Sequence, residues 1–209
     1  MTRAPKRVSP RKQPLQERSR ETVRAILEAA AHVFADRGSD GATTDAIAAR
    51  AGVSIGSLYQ YFPSKQALLA TLAACHRLET RAALEPVLAL LARDAAVDAV
   101  APVLVRALVR LHAAHPRLDR LLHDDAPRDS EAVTALAALH RDFCDRLAAW
   151  LAQRPEARCA DPALAACVGF DAVASLAHGA ALEAHAGASA EQREVELARL
   201  LRRYFTAAP

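Results

Sequence analysis

The sequence is poor in the residues that build extended sheets, and it lacks long apolar runs. Its 209 residues include only one Trp, three Tyr, five Phe and seven Gly, and the scarcity of β-branched runs argues against an extended sheet. No uninterrupted apolar stretch approaches the roughly 20 residues that a membrane-spanning helix needs. Because 52% of the residues are hydrophobic, with Ala and Leu dominant, we predict an all-α protein with a sizeable helical core.

Cysteine is also sparse, with four residues that form no Cys-X-X-Cys motif: Cys75, Cys144, Cys159 and Cys167. The N-terminus is basic but no apolar run follows it, so we expect no secretory signal. The main expectation is therefore a reduced, cytoplasmic protein with small and mostly buried thiols. The spacing alone gives no support to the alternative, a redox-sensing Cys144 or Cys159.

Positive charge is concentrated at the N-terminus, although the whole chain has a net charge of only +3. Residues 1–20 contain seven Lys or Arg and three Pro against one acid, Glu17. One interpretation of residues 1–18, the basic arm, is a solubilising disordered tail. Beside a DNA-reading unit, the same arm would contact phosphates or the minor groove, with Arg18 and Arg20 at its end.

A first helix is predicted from Ser19 or Arg20 to Gly38, with Gly41 in the loop that follows. Apolar residues recur along it at the spacing of one buried helix face. They are Val23, Ile26, Leu27, Ala30 and Phe34. We expect this face to provide the core for the shorter helices that come next.

Residues 43–69 read TTDAIAARAGVSIGSLYQYFPSKQALL and contain signals for two short helices separated by a turn. Thr43 or Thr44 caps the first helix, and Ser54 caps the second. Gly52 falls between them, where the chain must turn with a positive φ. Two such helices joined by a glycine-bearing turn form a helix-turn-helix unit, and neither is long enough to be stable alone in water.

The second short helix, residues 55–61, is predicted to face DNA. The first residues of such a helix reach the base edges in the major groove. Gly56 would permit a close approach, Ile55 would contact a thymine methyl, and Ser57 would bond to a base or a phosphate. Polar side chains suited to contacts with phosphates or other parts of DNA lie on either side of residues 55–57 in the sequence. They are Thr44, Tyr59, Gln60, Tyr61 and Lys65.

Six longer helices are predicted after the helix-turn-helix, with Pro86 as a kink in the first of them. Proline-bearing dipeptides such as His115-Pro116 and Arg154-Pro155 mark the loops that separate them. The predicted spans are Lys65–Ala92, Asp98–Ala114, Pro116–Asp124, Ser130–Gln153, Pro162–His185 and Ala190–Tyr204.

Polar and aromatic groups on the otherwise apolar middle helices are the candidates for a ligand pocket. For each histidine among them, an ordinary satisfied core or surface histidine is the competing interpretation. Asp119 and His123 have the i, i+4 spacing of metal ligands, but two ligands are too few, so we predict no metal site and no cofactor. The predicted pocket residues are His76, Leu108, His112, His140, Phe143, Cys144, Leu147 and Trp150.

The last two helices combine small residues on one with a leucine stripe on the other. Two such helices can pair with their symmetry mates as a four-helix bundle, and packing within one protomer is the alternative. The predicted dimer residues are Gly169, Ala172, Leu176, Leu197, Leu201 and Tyr204.

The stretch 43–69, together with the first helix ETVRAILEAAAHVFADRG, closely resembles the signature of TetR-family transcriptional regulators. The resemblance implies a dimeric all-α repressor with a three-helix DNA-binding domain and a divergent ligand-binding domain. It also implies phosphate contacts from Thr44, Tyr59, Tyr61 and Lys65 and base-side positions at residues 55–57.

Two positions depart from the family pattern. Asp45 stands where a base-reading basic residue is common, and Ile55 stands where Lys is common. Asp45 favours the N-terminus of its helix, although a carboxylate can also accept a hydrogen bond from cytosine N4. Because both departures reduce the number of direct contacts, the basic arm gains importance.

The expected organisation is a basic arm (1–18), a DNA-binding domain (19–63) and a ligand-binding and dimerisation domain (64–209). We expect a homodimeric repressor that a small-molecule effector releases from a palindromic operator. An effector-independent regulator or an activator is the alternative. An enzyme is a remote possibility, since the sequence has no nucleophile triad order, nucleotide-binding loop or metal motif.

Overall fold

The computed structural model describes residues 17–114, 131–182 and 189–207. These residues form eight helices and no strand, which confirms the all-α prediction. We number the helices in chain order: α1 (Glu17–Gly41), α2 (Thr44–Ala51), α3 (Ile55–Tyr61), α4 (Lys65–Leu91), α5 (Val97–Ala114), α6 (Glu131–Leu151), α7 (Pro162–Leu182) and α8 (Ala190–Thr206).

Most predicted helix ends agree with the structure to within two residues. Gly38 has φ 70° and ψ 176°, so the regular helical path of α1 ends there, as predicted, and one further turn extends to Gly41. Helix α4 continues past Pro86 to Leu91. The predicted helix Pro116–Asp124 and most of the basic arm lie outside the described residues.

The described residues divide into two compact units. The first unit contains residues 17–77 and 131–134, and the second contains residues 78–114, 135–182 and 189–207. The division falls inside α4, so the first turns of this helix belong to one unit and the remainder to the other.

The core of the first unit is built around α1. Ile26 and Phe34 of α1 are fully buried with Leu58 of α3 and Phe62 directly after it. These contacts explain why α2 and α3 are stable at eight and seven residues, a length that is marginal for an isolated helix.

The core of the second unit is built around α5, which packs against both α7 and α8. Two ion pairs join α5 to α8: Arg106 Nε lies 3.5 Å from Glu194 Oε2, and Arg202 Nη1 lies 3.5 Å from Asp98 Oδ1. Within the described ranges, none of the helices combines the length and the apolarity needed to cross a bilayer.

Candidate nucleic-acid interface

The turn between α2 and α3 has the geometry that the sequence predicts. Thr43 Oγ1 accepts a hydrogen bond from Ala46 N at 3.2 Å and so caps α2. Gly52 ends the helix in the left-handed region, with φ 67° and ψ 28°. The amide of Val53 then bonds back to Ala48 O at 3.1 Å. Because only glycine adopts this φ without strain, Gly52 fixes the direction in which α3 starts.

Ser54 caps α3, and its hydroxyl also binds a predicted base-side residue. Ser54 Oγ accepts from Ser57 N at 3.0 Å, and the two serine hydroxyls lie 2.9 Å apart. The Ser57 hydroxyl is thus held at the start of α3 by the cap. This second contact was not predicted, although the Ser-X-X-Ser spacing contains the signal for it.

The remaining predicted base-side residues, Ile55 and Gly56, are exposed at the first turn of α3. Ile55 is 37% exposed. A Cβ added at Gly56 would meet only Ser54 Oγ, at 3.8 Å. The packing of the described residues therefore gives no reason for glycine at position 56, and a close external surface would give one.

Two hydroxyls from different helices meet on the same exposed side. Thr44 Oγ1 of α2 and Tyr59 OH of α3 lie 3.0 Å apart, and the Tyr59 side chain is 43% exposed. The pair links the start of α2 to the outer face of α3. Since one hydroxyl donates to the other, the pair presents one free O–H group that can donate a hydrogen bond to a phosphate.

The other predicted phosphate contacts, Tyr61 and Lys65, are half-buried and already bonded within the first unit. Tyr61 OH donates to Ser19 Oγ of α1 at 3.3 Å, and Lys65 Nζ donates to the carbonyl of Ser39. Each bond ties the end of the helix-turn-helix to α1. A phosphate contact by either side chain would share or replace that bond.

Charged side chains of both signs are exposed on the helices around α3. Asp45 is exposed in the first turn of α2, Arg50 is exposed at its last turn, and Gln60 is exposed on α3. Arg20 is exposed on α1, where Arg18 also lies, although the Arg18 side chain is outside the described part. Asp45 thus places an acid where a base-reading basic residue is common in the family that the sequence resembles.

The predicted ligand-pocket residues separate into distinct environments. Five of them lie in one buried cluster of the second unit: Leu108, Phe143, Cys144, Leu147 and Trp150. The indole Nε1 of Trp150 donates to Ala95 O at 3.1 Å, and His112 is buried on α5. His140 is part-exposed and donates from Nε2 to Asp171 Oδ1 at 2.8 Å, whereas His76 is half-buried in the first unit.

A cavity of about 490 Å³ lies between α4 and α6 in the second unit. This volume is within the range of small-molecule sites. Phe143 is the one predicted pocket residue that borders it; the other walls were missed because they depend on how α4 meets α6. Two ion pairs lie at its charged edge, Arg81 with Glu85 and Arg146 with Asp142. The lining residues are Arg81, Leu84, Glu85, Leu88, Ala89, Ala92, Leu139, Asp142, Phe143 and Arg146.

The predicted dimer residues divide between the interior of the protomer and its surface. Gly169 and Leu201 are buried: a Cβ added at Gly169 would lie 2.8 Å from Phe205 Cζ and 3.0 Å from Leu201 Cδ1. The small residue at position 169 therefore allows close packing within the protomer, the alternative that the sequence left open. Leu197 and Ala172 are half-buried.

Large apolar side chains do remain exposed on α7 and α8. Leu176 and Tyr204 were predicted dimer residues and Leu200 belongs to the predicted leucine stripe of the last helix, whereas Leu164 and Val168 were missed. The residues at 164, 168, 172 and 176 repeat at i+4 on α7, a signal that the sequence contains. We call the set Leu164, Val168, Leu176, Leu200 and Tyr204 the apolar stripe.

Comparison with protein families identifies both parts of the chain. The model of bacterial regulatory proteins of the tetR family matches residues 26–72. The model of the tetracyclin repressor-like C-terminal domain matches residues 96–205, more than half of the chain. The chain belongs to the TetR family of transcriptional regulators. Members of this family are regulators that bind operator DNA as dimers.

Solved structures support the fold of this TetR-family regulator. A TetR-like transcriptional regulator from Rhodococcus sp. RHA1 is 22% identical, with 88% of this chain and 92% of that chain covered and a TM-score of 0.66. AibR, solved with isovaleryl coenzyme A and operator DNA, is 20% identical, with coverages of 90% and 100% and a TM-score of 0.65. FadR from Bacillus subtilis, solved with stearoyl-CoA, is 17% identical, with coverages of 90% and 99% and a TM-score of 0.63. No curated protein matches the chain.

Proposed function

We propose that this TetR-family regulator is a cytoplasmic homodimeric repressor that a small molecule releases from a palindromic operator. In this proposal residues 1–18 are the DNA-contacting arm, residues 19–63 read the operator, and residues 64–209 dimerise and bind the effector. The observation that carries it is the exposed face of α3, where an open Gly56 and an exposed Ile55 adjoin the Thr44–Tyr59 hydroxyl pair.

The face of α3 supports reading of bases through shape and apolar contact. Ile55 can contact a thymine methyl, and Gly56 lets the helix enter the major groove closely. Thr44 and Tyr59 are placed to bond to phosphates, which position the helix but carry little sequence information. The acid Asp45, exposed in the first turn of α2, opposes non-specific binding to phosphates.

In this proposal the basic arm provides the electrostatic part of the affinity for operator DNA. Residues 1–16 contain five Lys or Arg and no acid, whereas α3 itself contains no charged residue. Each phosphate that the protein neutralises adds about −0.9 to the slope of log affinity against log salt. Deletion of residues 1–16 should therefore reduce the steepness of this slope by up to about 4.5 units per arm.

Footprinting on the DNA upstream of the protein's own gene tests the proposal directly. We expect one protected palindrome and about a tenfold loss of affinity for Tyr59→Phe, which removes one charge-assisted hydrogen bond. Tyr204→Phe is a matched control, because Tyr204 is equally exposed at 43% and belongs to the apolar stripe. Protection of random sequence alone, or equal losses for both variants, would reject the assignment of α3 as the reading helix.

The apolar stripe supports dimerisation through α7 and α8. Large exposed side chains in a contiguous patch mark an interaction surface, and TetR-family regulators act as dimers. Val168→Glu should convert the dimer to a monomer in analytical ultracentrifugation. Val195→Glu is the control: Val195 is 60% exposed but lies nine residues from Tyr204, on the opposite side of α8. A dimer that survives Val168→Glu would place the interface elsewhere.

The cavity between α4 and α6 is the proposed effector site. Leu84, Leu88 and Phe143 provide apolar walls, and Arg81 and Arg146 provide cations at the edge. Since AibR and FadR were solved with acyl-CoA ligands, acyl-CoA thioesters of graded chain length are the first ligands to test. The acyl chain would contact the apolar walls and the phosphates would contact an arginine.

Calorimetry with these thioesters, followed by operator titration, tests the effector site. A true effector should weaken operator binding by about 5–150-fold, which corresponds to a coupling of about 1–3 kcal/mol. Arg146→Ala should weaken effector binding, and Arg141→Ala, an exposed neighbour outside the cavity, should not. Tight binding without any effect on the operator would favour the effector-independent alternative.

An enzymatic role is not proposed. Cys144, His140 and Asp171 lie next to one another, but Nε2 of His140 contacts both Asp171 Oδ1, at 2.8 Å, and Cys144 Sγ, at 3.6 Å. In a nucleophile triad the acid and the nucleophile bind different ring nitrogens. Turnover of a bound thioester would contradict this conclusion.

A further inference from the structure

Helices α6 and α7 run past each other in opposite directions with a fixed register. His140 of α6 contacts Asp171 of α7 at 2.8 Å and the Phe170 ring at a centroid distance of 5.0 Å. Phe143 of α6 also contacts Phe170, at a centroid distance of 5.2 Å. These contacts place one turn of α6 directly against one turn of α7.

The next turn along this contact brings two cysteines together. Four residues after His140 is Cys144, and four residues before Asp171 is Cys167. In antiparallel helices, equal steps in opposite directions lead to facing positions. Cys167 packs against the buried cluster that contains Cys144, and its thiol is near enough to raise the pKa of Cys144.

The two thiols differ in their access to solvent. Cys144 is 2% exposed, whereas Cys167 is half-buried. Burial, and after it the neighbouring Cys167, together raise the pKa of the Cys144 thiol to about 12. Cys144 therefore stays protonated and shielded, and Cys167 is the sulfur that a dissolved oxidant reaches first.

We propose that Cys144 and Cys167 are a redox-active pair, which a hydroperoxide such as hydrogen peroxide converts to a disulfide that links α6 to α7. Cys167 Sγ attacks one peroxide oxygen, the O–O bond breaks, and the thiol proton leaves with the departing oxygen as water. This step gives a sulfenic acid on Cys167. Cys144 Sγ then attacks the Cys167 sulfur, the S–S bond forms, and the S–O bond breaks. The hydroxide leaves as water with the Cys144 proton, so two thiols and one peroxide give one disulfide and two waters.

The link would join two helices with different proposed roles. A disulfide requires Cα atoms within about 4.4–6.8 Å, so it would hold α6 and α7 close together at this level. Helix α6 borders the effector cavity, and α7 carries part of the apolar stripe. This consequence rests on the proposed function, whereas the disulfide itself does not.

Mass spectrometry of the oxidised full-length protein tests the pair. The reduced protein is treated with equimolar hydrogen peroxide, its remaining thiols are alkylated, and it is cleaved before aspartate residues. This cleavage separates the three nearby cysteines, because it gives peptides 142–144, 145–160 and 161–170. We expect a disulfide-linked pair of peptides 142–144 and 161–170, with Cys75 and Cys159 alkylated.

Variants and alternative products make the test decisive. Cys159→Ser is the matched control and should leave the yield of the link unchanged, while Cys167→Ser should abolish it. Reduction with dithiothreitol should restore both thiols. A link between Cys159 and Cys167, a link between protomers, or irreversible oxidation of Cys167 without the 142–144 to 161–170 link would overturn the proposal. Since the readout is a covalent product, it does not depend on operator binding.

Discussion

The contacts that define the two units of this regulator span different separations along the sequence. In the first unit, the features that shape α2 and α3 are local: the caps at Thr43 and Ser54 act on amides three residues away. In the second unit, the defining contacts are distant, such as the Trp150 bond to Ala95, 55 residues away. Local contacts can be predicted from the sequence, whereas contacts between distant residues can be identified only once the fold is known. The following experiments test how far this contrast extends.

The largest effects should come from matched core substitutions in the two units. Phe34→Ala in the first unit and Phe205→Ala in the second each remove a ring that is at most 1% exposed. Each should cost about 3–5 kcal/mol in the free energy of unfolding, measured by urea titration. As urea is added, Phe34→Ala should lose operator binding at a lower concentration than dimerisation. Phe205→Ala should lose dimerisation at a lower concentration than operator binding. Equal loss of both activities in both variants would argue against separable units.

Two glycines should respond in opposite ways to the same change. Gly169→Ala places a Cβ 2.8 Å from Phe205 Cζ, and overpacking of this kind costs about 1–3 kcal/mol. Gly56→Ala meets open space and should raise stability by up to about 1 kcal/mol, because alanine favours helix. Operator affinity should nevertheless fall for Gly56→Ala. Thermal unfolding measures the stability of both variants, and operator titration measures their affinity for DNA. Unchanged operator affinity for Gly56→Ala would argue against close contact of α3 with the groove.

The hydroxyl pair on the α3 side should act as a unit. Thr44→Val and Tyr59→Phe should each weaken operator binding by about 0.5–1.5 kcal/mol. The double variant should lose less than the sum, because the two groups share one hydrogen bond and one phosphate. A double-mutant cycle measures this coupling. Full additivity would show that the two hydroxyls bind separate partners.

The smallest effect should come from an acid that caps α5 from a loop. Glu156 Oε1 accepts from Val97 N at 3.2 Å. Hydrogen bonds from backbone amides, first its own and then that of Val97, lower the pKa of Glu156 below its usual 4.5. Since the folded state favours the carboxylate, its contribution to stability is present above pH 4.5 and is lost as the pH falls through the lowered pKa.

Glu156→Ala should therefore be slightly less stable than the wild type at pH 7, with a difference that shrinks below pH 4.5. Urea titrations at several pH values measure the difference. Asp161→Ala, which loses a similar cap on α7, provides a comparison within the same unit. A difference that is constant across this pH range would mean that the carboxylate charge has no part in the cap.

The sequence was sufficient for most of the fold and for part of the site. Caps, turn glycine and apolar spacing predicted α3 to the residue and α2 to within one residue, since each signal acts within one helical turn. The break of the first helix at Gly38 followed from the same kind of local signal. The role of Gly169 could not be decided from the sequence, since its neighbour Phe205 lies on another helix.

The redox pair illustrates the same limit. Spacing alone gave no reason to connect Cys144 with Cys167, because no short motif includes both. Their proximity follows from the register of α6 against α7, which His140 and Asp171 set from 31 residues apart. Likewise, the cavity walls on α4 could not be predicted, because they depend on how α4 packs beside α6.

The loop between α6 and α7 has a practical consequence for protein engineering. Arg154 bonds to both the carbonyl and the side chain of Asp94, Glu156 reaches Val97, and the amide of Arg158 bonds to Phe205 O at 2.8 Å. Within five residues, this segment fastens the turn after α4 and the end of α8. Chimeric sensors that exchange α6 and α7 between relatives should transplant the turn after α4 as well, since a foreign loop would release three junctions at once.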